Sequence, residues 1–264
     1  MDEGITRVFN NQQAKASLGT KIIGRKIFAY DLVTSTNDLA HSLAQDNEPE
    51  GTVLFAKGQS QGRGRMGRTW TSPYDKGLYC SVILRPNMCV SSAAQVNLVV
   101  AAAVAGLLED LYCCGISIKW PNDILLNDKK ICGILTEAHF ESDRIDYMVV
   151  GIGLNINSSS AELPDQATSL KDQTGKTFDI ADLSHVFMKC LDDCYGLLKG
   201  DRFSDILRKV KEYSGLVLGG RVRVSWENNT IEGYAADFDE HGSLVLRRDN
   251  GVLEKISSGH LERL

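Results

Sequence analysis

Three arginines, Arg63, Arg65 and Arg68, alternate with three glycines, Gly62, Gly64 and Gly67, in the run Gly62-Arg-Gly-Arg-Met-Gly-Arg-Thr-Trp70. Guanidinium groups grip phosphate or carboxylate oxygens in a bidentate fork, and glycines let main-chain N–H groups reach the same anion. The run therefore has the composition of an anion site. Its spacing also satisfies G-x-G-x-x-G, the dinucleotide fingerprint, but that motif needs a helix N-terminus to receive a pyrophosphate. Thr69-Trp-Thr-Ser-Pro73 follows instead and cannot open a helix, which excludes that reading. The plain alternative is a mobile basic surface loop. Trp70 speaks against it, because a large apolar ring beside such a loop is better explained as a wall or lid.

Two other stretches place polar groups among apolar neighbours. Thr34-Ser-Thr-Asn37 precedes Leu39, Ala40, Leu43 and Ala44, whose spacing is helical, so taken alone the cluster supplies N-caps. Lys119-Trp-Pro-Asn-Asp123 leads into two apolar runs flanking Asn127-Asp128-Lys129, which predicts a hairpin with Lys130 opening its second strand. Alternation puts Lys130 on the face of Cys132 and Ile134 and turns Lys129 away. A lysine at a hairpin end is ordinarily solvated.

The elements that must position these groups follow from periodicity. Residues 52–60 and 77–84 read as strands, so the Arg/Gly run joins two strands of one sheet. Residues 93–112 form an apolar buried helix, and 116–120 return to strand. Met148-Val-Val-Gly-Ile-Gly-Leu-Asn155 is a buried strand whose glycines admit a close neighbour. Residues 179–191 and 203–213 are helical, and His185 falls among the apolar residues of the first as a packed or surface side chain. Residues 1 to 20 are polar and predict a short helix or arm, too small for a DNA-reading domain. From residue 215 the texture changes to short strands with turns at Asn228-Asn229, His241-Gly242 and Asn250-Gly251, the pattern of a small barrel of SH3-like size. The expected domains are 1–214 and 215–264.

Composition narrows the partners. A chain of 264 residues with 43% hydrophobic and 24% charged residues buries one good core, and the formal net charge of -5 offers no global attraction to nucleic acid. Seven cysteines include the adjacent Cys113-Cys114 and the helical pair Cys190 and Cys194, without a zinc spacing, and read as reduced thiols. The start lacks a signal-peptide pattern and no stretch has membrane-spanning length, so the expected location is cytoplasmic, with no membrane partner.

Taken in order, Ser35-Thr-Asn37, Gln59-x-x-Gly-Arg-Gly-Arg-x-Gly-Arg68-x-Trp70, Lys119-Trp-Pro-Asn-Asp123, Lys130-x-x-Gly-Ile-Leu135 and Gly151-x-Gly-x-Asn155 resemble the biotin protein ligases. The likeness covers roughly residues 21 to 264 and extends to the terminal barrel through Ser258-Gly259. It implies an α+β fold, a mixed β-sheet flanked by helices, biotin/lipoate ligase-like and related to the catalytic cores of class II synthetases, with a C-terminal SH3-like β-barrel. The form it implies is the monofunctional one, without an N-terminal DNA-binding domain and with no DNA partner.

The reaction implied is activation of biotin by ATP to biotinyl-5'-AMP, then transfer to a lysine on the biotin carboxyl carrier domain of a carboxylase. An anionic carboxylate must then approach a triphosphate, which demands nearby positive charge. The resemblance gives Lys130 and Arg65 catalytic roles. It gives Ser35, Thr36, Asn37, Gln59, Gly62, Arg63, Lys130 and Gly133 to biotin, and Arg65, Arg68, Trp70, Lys119, Asn122, Asp123 and Asn155 to ATP. Mg²⁺ is expected on the phosphates, with Asn122 and Asp123 as its neighbours or as anchors of the hairpin, and no metal ligand is assigned. The Arg/Gly loop is expected to stay mobile until ligand gives its charges partners. Monomer and homodimer are both open. Rival readings are a lipoate or octanoate ligase or transferase, a nucleic-acid-binding module and an interaction scaffold; the Arg/Gly loop and the barrel favour biotin over lipoate, and the acidic total disfavours nucleic acid.

Overall fold

A single parallel strand pair inside an otherwise antiparallel sheet sets the architecture. The computed structural model describes residues 5–9, 19–111, 113–215, 217–226 and 229–264. Strands β1 (Ile5–Phe9), β2 (Lys26–Val33), β3 (Thr52–Gln59), β4 (Gly77–Leu84), β5 (Ile116–Lys119), β6 (Asp123–Leu126), β7 (Lys129–Glu141) and β8 (Arg144–Asn155) form a sheet in the order β1-β2-β3-β4-β8-β7-β6-β5. Only β2 and β3 run parallel, joined by helix α1 (Thr36–Gln45), while the other neighbours are antiparallel. The mixed sheet is as expected. The short helix or arm expected over residues 1 to 20 is corrected at 5–9, which pair with β2 as a strand; most of the rest of that segment lies outside the described residues, as does Tyr112 at the end of the long helix.

Helices cover both faces. The alternate residues of β8 divide between them: Met148, Val150, Ile152 and Leu154 join the larger core, whereas Tyr147 and Val149 pack under α1. Over the larger core lies α2 (Ala94–Asp110), buried at Val96 and from Leu98 through Leu108. A helix apolar on every side must be enclosed, and its alanines let α4 (Ile180–Lys199) and α5 (Phe203–Glu212) come close. The segment 90–110 is long and apolar enough to cross a membrane, yet here it is the core helix. A shorter helix, α3 (Leu170–Thr174), is capped by Ser169, whose Oγ accepts from the Asp172 N–H.

The chain after residue 220 folds as a five-stranded antiparallel sheet, β9 (Arg221–Trp226), β10 (Asn229–Phe238), β11 (Leu244–Arg247), β12 (Leu253–Ile256) and β13 (His260–Arg263), in the order β12-β11-β10-β9-β13. The last strand was not legible in the sequence, because four residues after a glycine carry no alternation long enough to see. Inward residues such as Val222, Val224, Leu244, Leu246 and Leu261 merge with the main core. The Trp120 indole N–H donates to Gly242 O at 3.2 Å and Gln95 Nε2 to Glu240 O at 2.8 Å, which fixes this sheet against the larger one.

Asp192, on α4, is the least expected structural carboxylate. It is 6% exposed and accepts the main-chain N–H groups of Lys21, Ile22 and Ile23 at 2.7 to 2.8 Å, tying the turn before β2 to the helical layer. Removing it strands three donors, so Asp192→Ala is expected to lower stability by about 1–3 kcal/mol, the usual penalty for orphaned buried donors. Urea denaturation measures this directly, and an unchanged midpoint would refute it.

Candidate active site

Beyond the N-terminus of α1, the sheet face under that helix changes character. Under α1 the strands carry Leu54, Ala56, Ile83, Tyr147 and Val149, all buried. Further along the same face β8 continues with Gly151 and Gly153, β4 offers Ser81, and β7 offers Gly133, Leu135 and Glu137. Large side chains give way to glycines and polar groups, leaving a slot. A β-carbon on Gly153 would run into the Trp70 indole and one on Gly151 into the Asn37 amide, so both positions require glycine for what lies over them.

The start of α1 supplies one wall. Ser35 is the N-cap by position, but its side chain makes no capping bond, so the capping reading fails; Ser35, Thr36 and Asn37 are instead buried against the slot. Gln59 Oε1 accepts the Thr36 N–H at 2.9 Å and lies 3.2 Å from Thr36 Oγ1, while Gln59 Nε2 donates to Ser72 Oγ at 2.9 Å. Ser81 Oγ lies 2.6 Å from Asn37 Oδ1 and 2.8 Å from Thr36 Oγ1. Asn37 Nδ2 donates to Glu137 Oε2 at 2.7 Å.

The hairpin places Lys130 by a route that alternation did not anticipate. Asn127 and Asp128 make the turn with φ of 50° and 62°, the left-handed values such a two-residue turn demands. Ile124 pairs with Cys132 but Leu125 with Lys130, so Ile131 is an extra residue, a β-bulge. The bulge overturns the expected face: Lys130 leaves the side of Cys132 and Ile134 and lies with Gly133 on the slot. Its Nζ sits 2.7 Å from Asp123 Oδ1 and 5.4 Å from the centroid of the Trp70 ring. Main-chain bonds to Gln166 O and from the Thr168 N–H hold it there, at 2.9 Å each.

The Arg/Gly run closes over this floor. Ser35, Thr36, Asn37, Gln59, Arg63, Arg65, Trp70, Asn122, Lys130 and Gly133, all expected at the site, surround one cavity together with Gly64, Leu135, Gly151 and Gly153. Arg63 forks onto Glu137 with Nη1–Oε1 and Nη2–Oε2 both at 2.9 Å, and its Nη2 lies 2.7 Å from Asp38 Oδ1. Arg65 Nη1 donates to Asn122 Oδ1 at 3.0 Å and to Gly259 O at 3.1 Å, and burial pulls its guanidinium below the usual range, with Asp123 opposing. Asn122 Nδ2 in turn donates to Ile134 O at 3.0 Å. Two of the three loop arginines therefore have partners within the protein, which corrects the expectation that only a ligand supplies them.

Other expected residues stand outside the cavity. Gly62 is buried beneath Trp70, whose N–H it accepts at 2.8 Å. Asp123 stands behind Lys130 as its counter-ion. Arg68 is exposed and makes no ion pair among the described residues; burial first, and then the charges of Arg68 and Lys119, hold the His260 imidazole below its ordinary value. Asn155, two residues beyond Gly153, is buried, donates through Nδ2 to Thr168 O at 3.0 Å and leaves Oδ1 without a partner among the described residues. Ser81, Glu137, Asp38 and Gly259 were missed. A serine inside Gly77-Leu-Tyr-Cys-Ser-Val-Ile-Leu84 and a glutamate in step with Gly133 and Leu135 were the available signals.

The cavity encloses only about 50 Å³, whereas a pocket for a drug-sized ligand spans roughly 300–1,000 Å³. A more open space of about 500 Å³ adjoins it along residues 60–69 and shares Arg63, Gly64, Arg65 and Leu135 with it. Arg63 with Glu137 and Asp38, and Arg65 with Asn122 and Gly259, hold the loop in this position, against which Trp70 Nε1, buried without a partner among the described residues, costs about 1–3 kcal/mol.

With this geometry in hand, comparison with known proteins is specific. The biotin/lipoate A/B protein ligase family matches residues 29–155, and the biotin protein ligase C-terminal domain matches residues 217–260. The bifunctional ligase/repressor BirA of Bacillus spizizenii is 36% identical over 257 residues, 96% of this chain and 78% of that protein. The biotin--[acetyl-CoA-carboxylase] ligase of Mycobacterium tuberculosis is 29% identical over 218 residues, 80% of this chain and 79% of that protein. The biotin protein ligase from Aquifex aeolicus in complex with biotin and ATP superposes with a TM-score of 0.76 at 31% identity, over 90% of this chain and 99% of that one. The chain belongs to the biotin protein ligase family. As a biotin protein ligase it has the expected fold class, a mixed sheet flanked by helices with an SH3-like C-terminal domain.

One electrostatic feature of this ligase is directly measurable. The Glu137 carboxyl is lowered from 4.5 to about 2, first by its contact with His41 and then by Asn37 and Arg63, against the opposing effect of burial. A depressed carboxyl stabilises the fold above its unfolded value and loses that contribution as pH falls through the folded one. The stability difference between wild type and Glu137→Gln is therefore expected to shrink as pH falls from 4.5 toward about 2. Denaturation midpoints across that range decide it; a difference independent of pH would contradict the assignment.

Proposed function

We propose that this ligase joins the carboxylate of biotin to the AMP moiety of ATP and passes the biotinyl group to a lysine on the carrier domain of a biotin-dependent carboxylase. The observation that carries the reading is the convergence on one slot of an inward lysine, two loop arginines, an indole and uncharged polar groups. Biotin's ureido ring offers two N–H donors and a carbonyl acceptor, which suits Ser35, Thr36 and Gln59 between apolar walls. Trp70 lies along the acyl chain once the loop closes, and Asn155 Oδ1 faces the adenine side as an acceptor.

In the first step a biotin carboxylate oxygen attacks the α-phosphorus, forming the mixed anhydride and releasing pyrophosphate. Lys130 stands between the two anions and offsets their repulsion; at about 4 Å each unit-charge pair is worth about 4 kcal/mol at an effective dielectric of 20. Arg65 and Arg68 hold phosphates, with Lys119 adding charge beside Arg68. Arg63 moves with the loop, Gly133 lets the ligand lie close to the sheet, and Gly62 and Asn37 support the walls. In the second step the carrier lysine amine attacks the acyl carbon and AMP leaves, Lys130 now balancing charge on the departing phosphate.

Mg²⁺ is expected to travel with the triphosphate. Among the described residues no cluster of three metal-ligating side chains exists, and Asp123 is committed to Lys130. These residues fit an ion held mainly by phosphate oxygens and water, with Asn122 and Asp123 anchoring the cations of the site. All seven cysteines are free, which suits a reducing cytoplasm. We put the domain boundary near residue 215, just ahead of the matched C-terminal domain. The match to a biotin ligase C-terminal domain favours biotin over lipoate.

Lys130→Ala is expected to lower biotin-dependent ATP–pyrophosphate exchange by at least about a hundredfold, the loss typical when one preorganised charge is removed from a transition state. Circular dichroism should remain native. Exchange within a few-fold of wild type would remove Lys130 from the reaction.

A further inference from the structure

We propose that Glu137 is a positioning residue that couples the head-group wall to the Arg/Gly loop, setting how tightly the loop stays shut. This rests on the biotin reading for its consequence but not for its structural test. Glu137 projects from β7 onto the slot face, and its two oxygens serve two separate elements. Oε1 takes Arg63 Nη1, while Oε2 takes Arg63 Nη2 at 2.9 Å and Asn37 Nδ2 at 2.7 Å. His41 Nε2 approaches Oε2 to 3.5 Å and Asp38 grips Arg63 from the α1 side.

The bonds continue from there without a break. Asn37 Oδ1 accepts from the Ser81 hydroxyl, Ser81 Oγ meets Thr36 Oγ1, the Thr36 main-chain N–H donates to Gln59 Oε1, and Gln59 Nε2 donates to Ser72 at the far end of the loop. Arg63 at the loop's entry and Ser72 at its exit are thus joined through the side chains that form the head-group wall. A ligand that rearranges hydrogen bonds at Thr36 and Gln59 acts on a chain anchored at both ends of the lid, and Glu137 is the link at which that chain meets a loop cation. None of these bonds requires Glu137 to touch biotin, ATP or the acceptor lysine.

The consequence is kinetic. Weakening the Glu137 link shifts the loop toward the open state, so the adenylate escapes sooner and the loop is cut more readily, while Lys130 and Arg65 still perform adenylation in the closed fraction. Glu137→Gln is expected to raise the rate of tryptic cleavage within residues 63–68 of the ligand-free protein about 1.5- to fivefold, matching loss of one partly exposed charged pair. Biotinyl-AMP dissociation should accelerate by a similar factor, with little change in kcat for pyrophosphate release at saturating biotin. Glu141→Gln, at the exposed end of the same strand, changes charge equally and should do neither.

Cleavage and dissociation rates equal to those of Glu141→Gln would overturn the proposal. Should Glu137→Gln fail to fold, Asp38→Asn removes the other carboxylate on Arg63 without touching Asn37, and it too must speed loop cleavage or the proposal falls. A wild-type protein that holds no adenylate would defeat the biotin reading alone, because ligand-free cleavage still decides whether Glu137 secures the loop.

Discussion

Mutual repulsion of two anions is the constraint around which this molecule is arranged. A carboxylate and a triphosphate do not approach each other unless cations already wait between them, and cations confined in a partly dry slot repel one another and lose hydration. The structure gives three of them a counterpart: Asp123 for Lys130, Asn122 and Gly259 O for Arg65, Glu137 and Asp38 for Arg63. These charge-assisted bonds hold the cations in place although they lie close together. The positive charge is in this way held in position without a ligand.

Storage requires a floor with room for it. Below α1 the sheet is packed with Leu54, Ile83 and Val149, and beyond the helix it is stripped to Gly133, Gly151 and Gly153. The indole of Trp70 lies on the glycines, Asn37 fills the gap over Gly151, and Lys130 reaches the same floor through the bulge at Ile131. Apolar layers on the opposite face, centred on α2, hold the strands rigidly enough for these placements to persist. The small C-terminal sheet contributes its Gly259 carbonyl to Arg65, so it belongs to the electrostatics of the site as well as to the core.

Much of this was readable in the residues, and what was hidden has identifiable causes. The Arg/Gly run, the strands on either side of it and the hairpin at Asn127-Asp128 follow from local chemistry, so propensity and pattern sufficed. Lys130 was found, but its face was misassigned, since a single inserted residue reverses strand alternation and nothing at Ile131 announces it. Partners for the loop arginines stayed invisible because Glu137 is 74 positions from Arg63 and Gly259 is 194 from Arg65. Thr36 and Asn37 read equally well as caps; only burial against Ser81 and Gln59 separates the two roles.

The central claim is that the slot beneath Trp70 brings biotin and ATP together and retains what they form. Native mass spectrometry of the wild-type protein after incubation with biotin, ATP and Mg²⁺ tests it most directly. A bound species with the mass of biotinyl-AMP, surviving gel filtration and absent when either substrate is omitted, is the predicted result. Recovery of the protein with unreacted biotin or nothing bound, and no pyrophosphate in solution, would contradict it.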